Sequence, residues 1–247
     1  MKAMVFAAGQ GQRLRPITEK TPKPLVRVAG RPMIDYPLLL LRYYGADEII
    51  INLHHLGHQV ETYLGEGDRF GLKICYSREP ELLDTGGGLL KAKSFLENTT
   101  FIVINTDVLI DLRLADVLEF HRRNRAAATL VLRPDADADR YGSMDIDADG
   151  RICRFLDTRL PATASSPQHK LMFTGVQVLE PSIFNYTPSG GAKKFSTTKD
   201  VFPKMLLAGE RLYGFSFNGF WQDLGTVERI QEAERSLKAG HAKLHYL

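Results

Sequence analysis

Residues 2–16 read Lys-Ala-Met-Val-Phe-Ala-Ala-Gly-Gln-Gly-Gln-Arg-Leu-Arg-Pro, and this stretch decides the fold. Its apolar first half predicts a buried strand over residues 2–7 that breaks into a glycine-containing loop at residues 8–12. A buried strand followed by a glycine turn is typical of phosphate sites, because small residues allow backbone N–H groups to approach an anion closely. The candidate phosphate-binding residues are therefore Ala8, Gly9 and Gly11.

Two basic residues beyond the loop extend this candidate anion site. Arg13 carries a guanidinium whose geometry suits phosphate oxygens in a bidentate contact. Lys23 lies between Pro22 and Pro24, which restrict the backbone and hence the direction in which the ammonium is presented. A dinucleotide fingerprint is excluded because position 14 is leucine, and a Walker loop because no Gly-Lys-Ser/Thr closes the turn. The alternative is a glycine turn followed by a solvated basic loop. The glycine loop and the Pro-Lys-Pro segment together disfavour this alternative.

Strands and helices alternate through the first part of the chain. The apolar patterns predict strands at residues 48–53, 72–76, 101–104 and 128–132, and helices from Pro32 onward and at residues 57–64, 88–96 and 114–124. This alternation predicts an α/β fold, with a Rossmann-like, mostly parallel sheet and helices on both faces.

After residue 140 the sequence no longer predicts strands that alternate with helices. Residues 143–147 and 151–155 predict a hairpin that turns at Asp149-Gly150, which is a small antiparallel addition to the sheet. The Asp145-Ile-Asp147 part of this hairpin is similar to a glycosyltransferase metal motif, but its alternation favours an exposed strand face. Residues 160–168 are expected to form a mobile loop, and helices are expected near residues 200–207 and 226–237.

Composition and charge narrow the classes of protein. The chain has 247 residues, of which 44% are hydrophobic and 25% charged, as in an ordinary globular protein. No apolar run approaches the roughly 18–20 residues of a membrane span, and we expect a cytoplasmic protein without a membrane partner. The two cysteines, Cys75 and Cys153, stand far apart outside any metal-binding pattern, and both are expected to be buried.

The positive charge is concentrated near the start of the chain. The net charge is +3, yet residues 1–31 hold seven basic side chains and one acidic one. The remainder of the chain is therefore slightly acidic. A basic cluster confined to one segment indicates a local anion site rather than a nucleic-acid-binding face, so a nucleic-acid partner is not expected.

The motifs resemble those of one family along almost the whole chain. The segments Gly9-x-Gly11-x-Arg13-Leu14-x-Pro16-Ile17-Thr18 and Pro22-Lys23-Pro24-Leu25 are similar to the pattern of the sugar-1-phosphate nucleotidyltransferases, also called NDP-sugar pyrophosphorylases. The resemblance continues in order through Asp84-Thr-Gly-Gly-Gly88, Asn105-Thr-Asp107, Phe173-Thr-Gly175 and Trp221-Gln-Asp-Leu-Gly-Thr226.

The resemblance implies a nucleotidyltransferase fold and a reaction. We expect a single domain over residues 1–247, with a nucleotide-binding part to about residue 140 and a sugar-binding and closing part after it. The enzyme would join a nucleoside triphosphate to a sugar 1-phosphate and release pyrophosphate. We expect it to act as a monomer or a small homo-oligomer. A catalytically silent sugar-nucleotide sensor on the same fold is the alternative.

The resemblance also implies roles for individual residues. Asp107 and Asp223 would bind Mg²⁺, although taken alone each aspartate is more typical of a cap or turn. Arg13 would act at the pyrophosphate end, and Lys23 at the α-phosphate or the incoming phosphate. The residues expected near the base are Thr85, Gly86 and Gly87, with Gly88 at the start of the following helix, and Gly175 is expected to leave room for the sugar.

Two departures from the family pattern affect the substrate. Thr106 stands where many members have glycine before the first metal aspartate, and residues 155–157 stand where many have Glu-Lys-Pro. The second departure resembles compact members that act on N-acetylmuramic acid, mannose or heptose 1-phosphates. The glycine run at residues 86–88 is compatible with UTP or GTP, and we lean slightly to UTP.

Overall fold

The computed structural model describes residues 1–135, 138, 143–160, 168–190 and 193–247, with the side chains of residues 168 and 169 excepted. The chain forms two compact units. Unit 1 comprises Met1–Leu82, Val103–Leu112 and Gly219–Leu247, and unit 2 comprises Leu83–Ile102 and Arg113–Asn218. These boundaries differ from the functional division expected near residue 140, which stays a prediction.

The elements follow one another in a largely alternating order. The strands are β1 (Lys2–Phe6), β2 (Arg27–Val28), β3 (Arg31–Pro32), β4 (Glu48–Leu53), β5 (Lys73–Arg78), β6 (Phe101–Asn105), β7 (Val108–Ile110), β8 (Ala128–Pro134), β9 (Met144–Ile146), β10 (Ile152–Phe155), β11 (Thr158–Arg159), β12 (Gln168–Leu179), β13 (Leu212–Ser216) and β14 (Trp221–Asp223). The helices are α1 (Asp35–Tyr43), α2 (Gly57–Leu64), α3 (Asp84–Lys91), α4 (Lys93–Leu96), α5 (Leu114–Arg123), α6 (Phe202–Leu207) and α7 (Val227–Lys238).

Unit 1 is built on a parallel sheet. Its strands lie in the order β1-β4-β5, and β1 and β5 both run parallel to β4. Residues 103–105 of β6 also belong to this unit. The interior of β1 and the middle of β4 are almost completely buried, as expected for parallel strands with apolar side chains on both faces. Helix α1 accepts Pro37 within its first turn, where no helical N–H is lost, and the chain leaves it through Gly45 at φ 79°.

Unit 2 is built on a mixed sheet. Strand β8 runs parallel to β13 and antiparallel to β12, and β12, β9, β10 and β11 pair antiparallel in that order. The hairpin of β9 and β10 confirms the predicted antiparallel addition, and its turn contains Gly150 at φ 83°. The fold class is therefore α/β with a mostly parallel mixed sheet and small antiparallel additions. None of the helices in the described ranges is long and apolar enough to cross a bilayer.

The helix expected from Pro32 begins at Asp35, and Pro32 lies in β3. Three other local predictions are wrong. The helix expected at residues 88–96 begins at Asp84 and is interrupted at Ala92, so Gly86–Gly88 lie within a helix. Cys75 is exposed, because it lies on edge strand β5, whose side chains alternate between the core and solvent. The Asp145 carboxylate is completely buried, because Arg154 contacts both of its oxygens at 2.7 and 2.8 Å and Arg159 contacts one at 3.1 Å. The loop expected at residues 160–168 falls mostly outside the described residues.

A buried histidine network in unit 2 predicts a pH-dependent stability. The His121 ring contacts the Thr129 hydroxyl at 2.9 Å and the Glu180 carboxylate at 3.1 Å, and burial lowers the His121 pKa from 6.5 despite the opposing effect of Glu180. Below pH 6.5 the unfolded chain therefore takes up a proton that the folded chain resists. We expect the melting temperature to fall as the pH is lowered through this range. His121→Gln should flatten the profile, whereas an unchanged slope in that variant would contradict the assignment.

Candidate active site

The glycine loop at the end of β1 presents backbone amides. Ala8 is buried, whereas Gly9 is exposed. The amides of residues 8–11 donate to no protein acceptor within the described part of the chain. Amides without a partner at the end of a buried strand are available donors for an anion. The loop can therefore bind a phosphate through its main chain, as its composition predicts.

Gly11 holds the loop against the segment that carries Lys23. Its φ is 65°, and an added Cβ would lie 2.8 Å from Thr18 Cγ2 and 3.0 Å from Lys23 Cβ. The Thr18 hydroxyl donates to the Gly11 carbonyl at 2.8 Å, and the His55 ring contacts the Thr18 carbonyl at 3.0 Å. Glycine is suited to this position because it combines a left-handed conformation with close approach of the backbone.

The two loop glycines predict different consequences of adding a methyl group. Gly11→Ala should destabilise the protein by about 1–2 kcal/mol, because of its left-handed backbone and its close neighbours. An added Cβ at Gly9 has nothing within 4 Å, so Gly9→Ala should leave stability nearly unchanged. The Gly9 methyl would instead occupy the space from which a phosphate approaches the amides. We expect weaker UTP binding by calorimetry in Gly9→Ala with a normal denaturant midpoint, and normal binding would remove Gly9 from the site.

Lys23 is directed at a carboxylate. The backbone around it is fixed by hydrogen bonds from Leu25 N to Pro22 O at 2.8 Å and from Ile34 N to Pro24 O at 3.0 Å. The Lys23 ammonium forms an ion pair with Asp107, and the two side chains are only 15% and 23% exposed. The lysine between the two prolines is therefore a placed cation, unlike a side chain of a solvated basic loop.

A short ladder brings the two predicted metal aspartates to neighbouring positions. Asp107 immediately precedes β7, and Asp223 ends β14, which pairs antiparallel with β7. Asp223 lies opposite Val108 in the register, and the amide of Leu224 donates to the Asp107 carbonyl at 2.9 Å. The backbones that carry the two carboxylates are therefore hydrogen-bonded to each other.

The Asp223 carboxylate is held on both of its oxygens. The amide of Gly225 donates to Oδ1 at 2.7 Å, and the Arg229 guanidinium forms an ion pair with Oδ2. An added Cβ at Gly225 would clash with both the Arg13 guanidinium and the Asp223 carboxylate. Gly225 therefore leaves room for Arg13 beside Asp223, and Arg13, Lys23 and both aspartates belong to one cluster within unit 1.

The predicted base-binding residues lie in unit 2, in the first turn of α3. The amides of Gly86 and Gly87 both donate to the Phe195 carbonyl, at 2.9 and 3.2 Å, and an added Cβ at Gly86 would meet the Phe195 ring. The Thr85 hydroxyl accepts from the amide of Thr197 at 3.0 Å. The close packing of Gly86 and Gly87 against residues 193–195 explains why small residues occupy these two positions. Their contact with the base stays a prediction.

Gly175 lies at an irregularity in β12. Its φ is 89°, and the register between β12 and β8 shifts between Phe173 and Gln177. A bulged strand with a left-handed residue favours glycine for backbone reasons. The predicted role of Gly175 in leaving room for a sugar is untested by this geometry.

The family profile described as nucleotidyl transferase matches residues 2–240. The chain belongs to this family. It is 35% identical over 243 residues to N-acetylmuramate alpha-1-phosphate uridylyltransferase of Neisseria meningitidis. That alignment covers 95% of this chain and 97% of the relative. It is 33% identical over 241 residues to mannose-1-phosphate guanylyltransferase of Mycobacterium tuberculosis. That alignment covers 97% of this chain, but this chain spans only 65% of the relative's length.

The nucleotidyl transferase fold also has a close structural counterpart. A crystal structure of a Bacillus anthracis protein assigned as a glucose-1-phosphate thymidylyltransferase, solved with sucrose, aligns with a TM-score of 0.79. The alignment covers 95% of this chain and 94% of that chain at 24% sequence identity. At this identity, the similarity establishes the shared fold.

The two aspartates of this nucleotidyl transferase chain fit a hard divalent cation. Asp107 and Asp223 offer carboxylate oxygens from adjacent backbone positions, and each now pairs with a basic side chain. No group of three or more His, Cys, Asp or Glu suited to a metal occurs among the residues that the structure describes. Mg²⁺ typically takes one or two protein carboxylates and completes its shell with substrate phosphates and water. The two carboxylates of Asp107 and Asp223 match this coordination preference of Mg²⁺.

Two further residues position the glycine loop: Asn52, which no sequence motif singles out, and Thr106, which the sequence marks only as a departure from the family pattern. The buried Asn52 side chain accepts from the amide of Ala7 at 2.8 Å and donates to the Glu79 carboxylate at 2.8 Å. The amide of Thr106 donates to the Phe6 carbonyl at 3.1 Å, and its hydroxyl bonds to the same oxygen. Thr106 therefore ties the Asp107 turn to the end of β1. A polar residue after three successive isoleucines, one position before the end of β4, is the signal that points to Asn52.

Arg229 also escaped the sequence analysis. It lies in the first turn of α7, where a basic residue on a helix is usually read as part of a solvated face. Its ion pair with Asp223 is a tertiary contact that no periodic pattern announces.

Proposed function

We propose that this chain transfers a nucleotidyl group from a nucleoside triphosphate to a sugar 1-phosphate, with release of pyrophosphate. The observation that carries the proposal is the cluster in unit 1, where Asp107 and Asp223 lie on hydrogen-bonded backbones and each pairs with a cation. Family membership and the two relatives support the reaction class. In this proposal, residues up to about 140 supply most triphosphate contacts, and the later part supplies the sugar contacts and Asp223.

The proposed triphosphate is UTP, with GTP as the second candidate. The Neisseria uridylyltransferase matches this chain over nearly the full length of both proteins, which supports UTP. The Mycobacterium guanylyltransferase keeps GTP in consideration at a similar identity. Both relatives act on sugar 1-phosphates according to their names. We therefore propose a sugar 1-phosphate acceptor, with Thr85, Gly86 and Gly87 near the base and Gly175 near the sugar.

The proposed chemistry is a single in-line displacement. An oxygen of the sugar phosphate forms a bond to the α-phosphorus, and the bond to the bridging oxygen breaks with its electron pair leaving on pyrophosphate. The reaction needs no side-chain nucleophile, so the protein contributes position and charge. The loop amides and Arg13 would hold the pyrophosphate end, and Lys23 would lie at the α-phosphate.

The metal proposed for this site is Mg²⁺, held by Asp107 and Asp223. When bound, it neutralises phosphate charge as the transition state forms. The side chains of Lys23 and Arg229 would then be free of their carboxylate partners. Together with Arg13 they would be available to phosphate oxygens, which form charge-assisted hydrogen bonds with basic side chains.

Pyrophosphate release from a substrate panel tests the proposal. The panel combines UTP, GTP, ATP, CTP and dTTP with several sugar 1-phosphates in the presence of Mg²⁺. We expect release that depends on both substrates, with UTP or GTP preferred. Tight triphosphate binding without turnover in any combination would overturn the proposal and favour a sugar-nucleotide sensor.

A further inference from the structure

Arg229 lies at a helix position that is unfavourable for a cation. It is the third residue of α7, within the first turn after Thr226, whose hydroxyl accepts from the Arg229 amide at 3.4 Å. The N-terminus of a helix carries partial positive charge and favours acidic side chains. A basic side chain here costs stability unless a carboxylate compensates it. The ion pair with Asp223 supplies that compensation, so Asp223 explains the position of Arg229 better than the helix does.

The charge around Asp223 is dominated by guanidinium groups. Arg229 occupies Oδ2, and its side chain is 29% exposed against 18% for Asp223. The Arg13 guanidinium lies near Oδ1, since a Cβ on Gly225 would clash with Arg13 Nη2 and lie 2.8 Å from Asp223 Oδ1. Two cations beside one carboxylate oppose the approach of a divalent cation. A triphosphate reverses this balance, because it brings negative charge for both guanidinium groups.

We propose that Arg229 is a positioning residue that keeps Asp223 oriented and charge-balanced in the ligand-free protein and thereby suppresses metal binding before the triphosphate arrives. This inference rests on the proposed function, in which Asp223 is a metal carboxylate. Its consequence is an order of assembly: the divalent cation enters with the triphosphate. A residue that merely ties α7 to β14 would not have this effect.

Direct Mn²⁺ binding to the ligand-free protein tests the inference. Mn²⁺ is followed by calorimetry or electron paramagnetic resonance in wild type, Arg229→Gln and Arg229→Lys. Arg229→Gln should bind Mn²⁺ about tenfold more tightly, a typical size for coupling between two neighbouring sites. Arg229→Lys keeps the charge and should bind as wild type does. The matched control is Arg235→Gln, which removes the same charge from an exposed position of the same helix and should change nothing.

The double variant Arg229→Gln/Asp223→Asn separates the possible failures. It should lose the gain in Mn²⁺ affinity, because the carboxylate responsible for the gain is absent. If Arg229→Gln is folded by circular dichroism and binds Mn²⁺ no more tightly than wild type, the inference is overturned while the proposed function stands. If Asp223→Asn alone leaves both Mn²⁺ binding with UTP and turnover unchanged, the assignment of Asp223 to the metal fails, and both proposals about it fail together.

Discussion

Replacing Asp107 or Asp223 by asparagine should lower kcat by about 10²-fold or more while the protein remains folded. Each asparagine keeps the shape of the side chain but removes the charge that would hold Mg²⁺ against the triphosphate. The two residues lie at one end of the short β7–β14 ladder rather than in the core, and their side chains are 23% and 18% exposed. We therefore expect the loss in turnover without a comparable loss in unfolding free energy.

Steady-state kinetics beside thermal unfolding checks this prediction. Asp116→Asn is the matched control, because Asp116 lies exposed on α5 and its carboxylate forms a 3.5 Å ion pair with the exposed Arg113. Exposed pairs of this kind contribute little to stability. Near-normal turnover in either Asp107→Asn or Asp223→Asn would remove that aspartate from the site.

Replacing Lys23 by alanine should reduce kcat by about 10²–10³-fold, the usual cost of one preorganised charge contact in a transition state. The lysine is fixed by its neighbouring backbone and directed at Asp107. Lys23→Arg should also reduce kcat, because a planar guanidinium in the same position cannot place its charge where the compact ammonium lies. UTP should still bind, since the loop amides and Arg13 remain.

Lys20→Ala is the control for Lys23, because it removes the same charge from an exposed position in the same basic segment. It should leave kcat and UTP affinity near the wild-type values. Retention of more than about a tenth of wild-type turnover in Lys23→Ala corresponds to a loss under about 1.4 kcal/mol and would reduce residues 21–25 to a structural loop.

The parts of the fold that follow from local pattern were predictable from the sequence. The strand at Glu48–Leu53 and the helix at Gly57–Leu64 match their predicted bounds, because an apolar run and a helical period each report on neighbouring residues. The start of α3 was mispredicted, since three successive glycines disfavour a helix locally. Tertiary hydrogen bonds from Gly86 and Gly87 to Phe195 stabilise that turn.

For the candidate site, the sequence predicted the residues but not their tertiary contacts. Residue chemistry indicated Arg13 and Lys23, and motif resemblance added Asp107 and Asp223. The structure places all four in unit 1. No motif indicated that Arg229 would be the partner of Asp223. Contacts such as that with Arg229 depend on how a helix packs near a strand end, and the spacing of residues in one chain does not encode them. The buried Asp145 escaped for the same reason, because its arginine partners neutralise it only in the folded protein.

Phosphorus-31 NMR of the protein with Mg²⁺, UTP and a panel of sugar 1-phosphates tests the central claim most directly, with GTP as the second triphosphate. The account predicts that the resonances of the triphosphate and of one sugar 1-phosphate decline together while those of a nucleoside diphosphate sugar and of pyrophosphate grow in equal amounts. Consumption of triphosphate to orthophosphate, or a stable complex in which triphosphate binds and no pyrophosphate forms with any sugar phosphate, would contradict it.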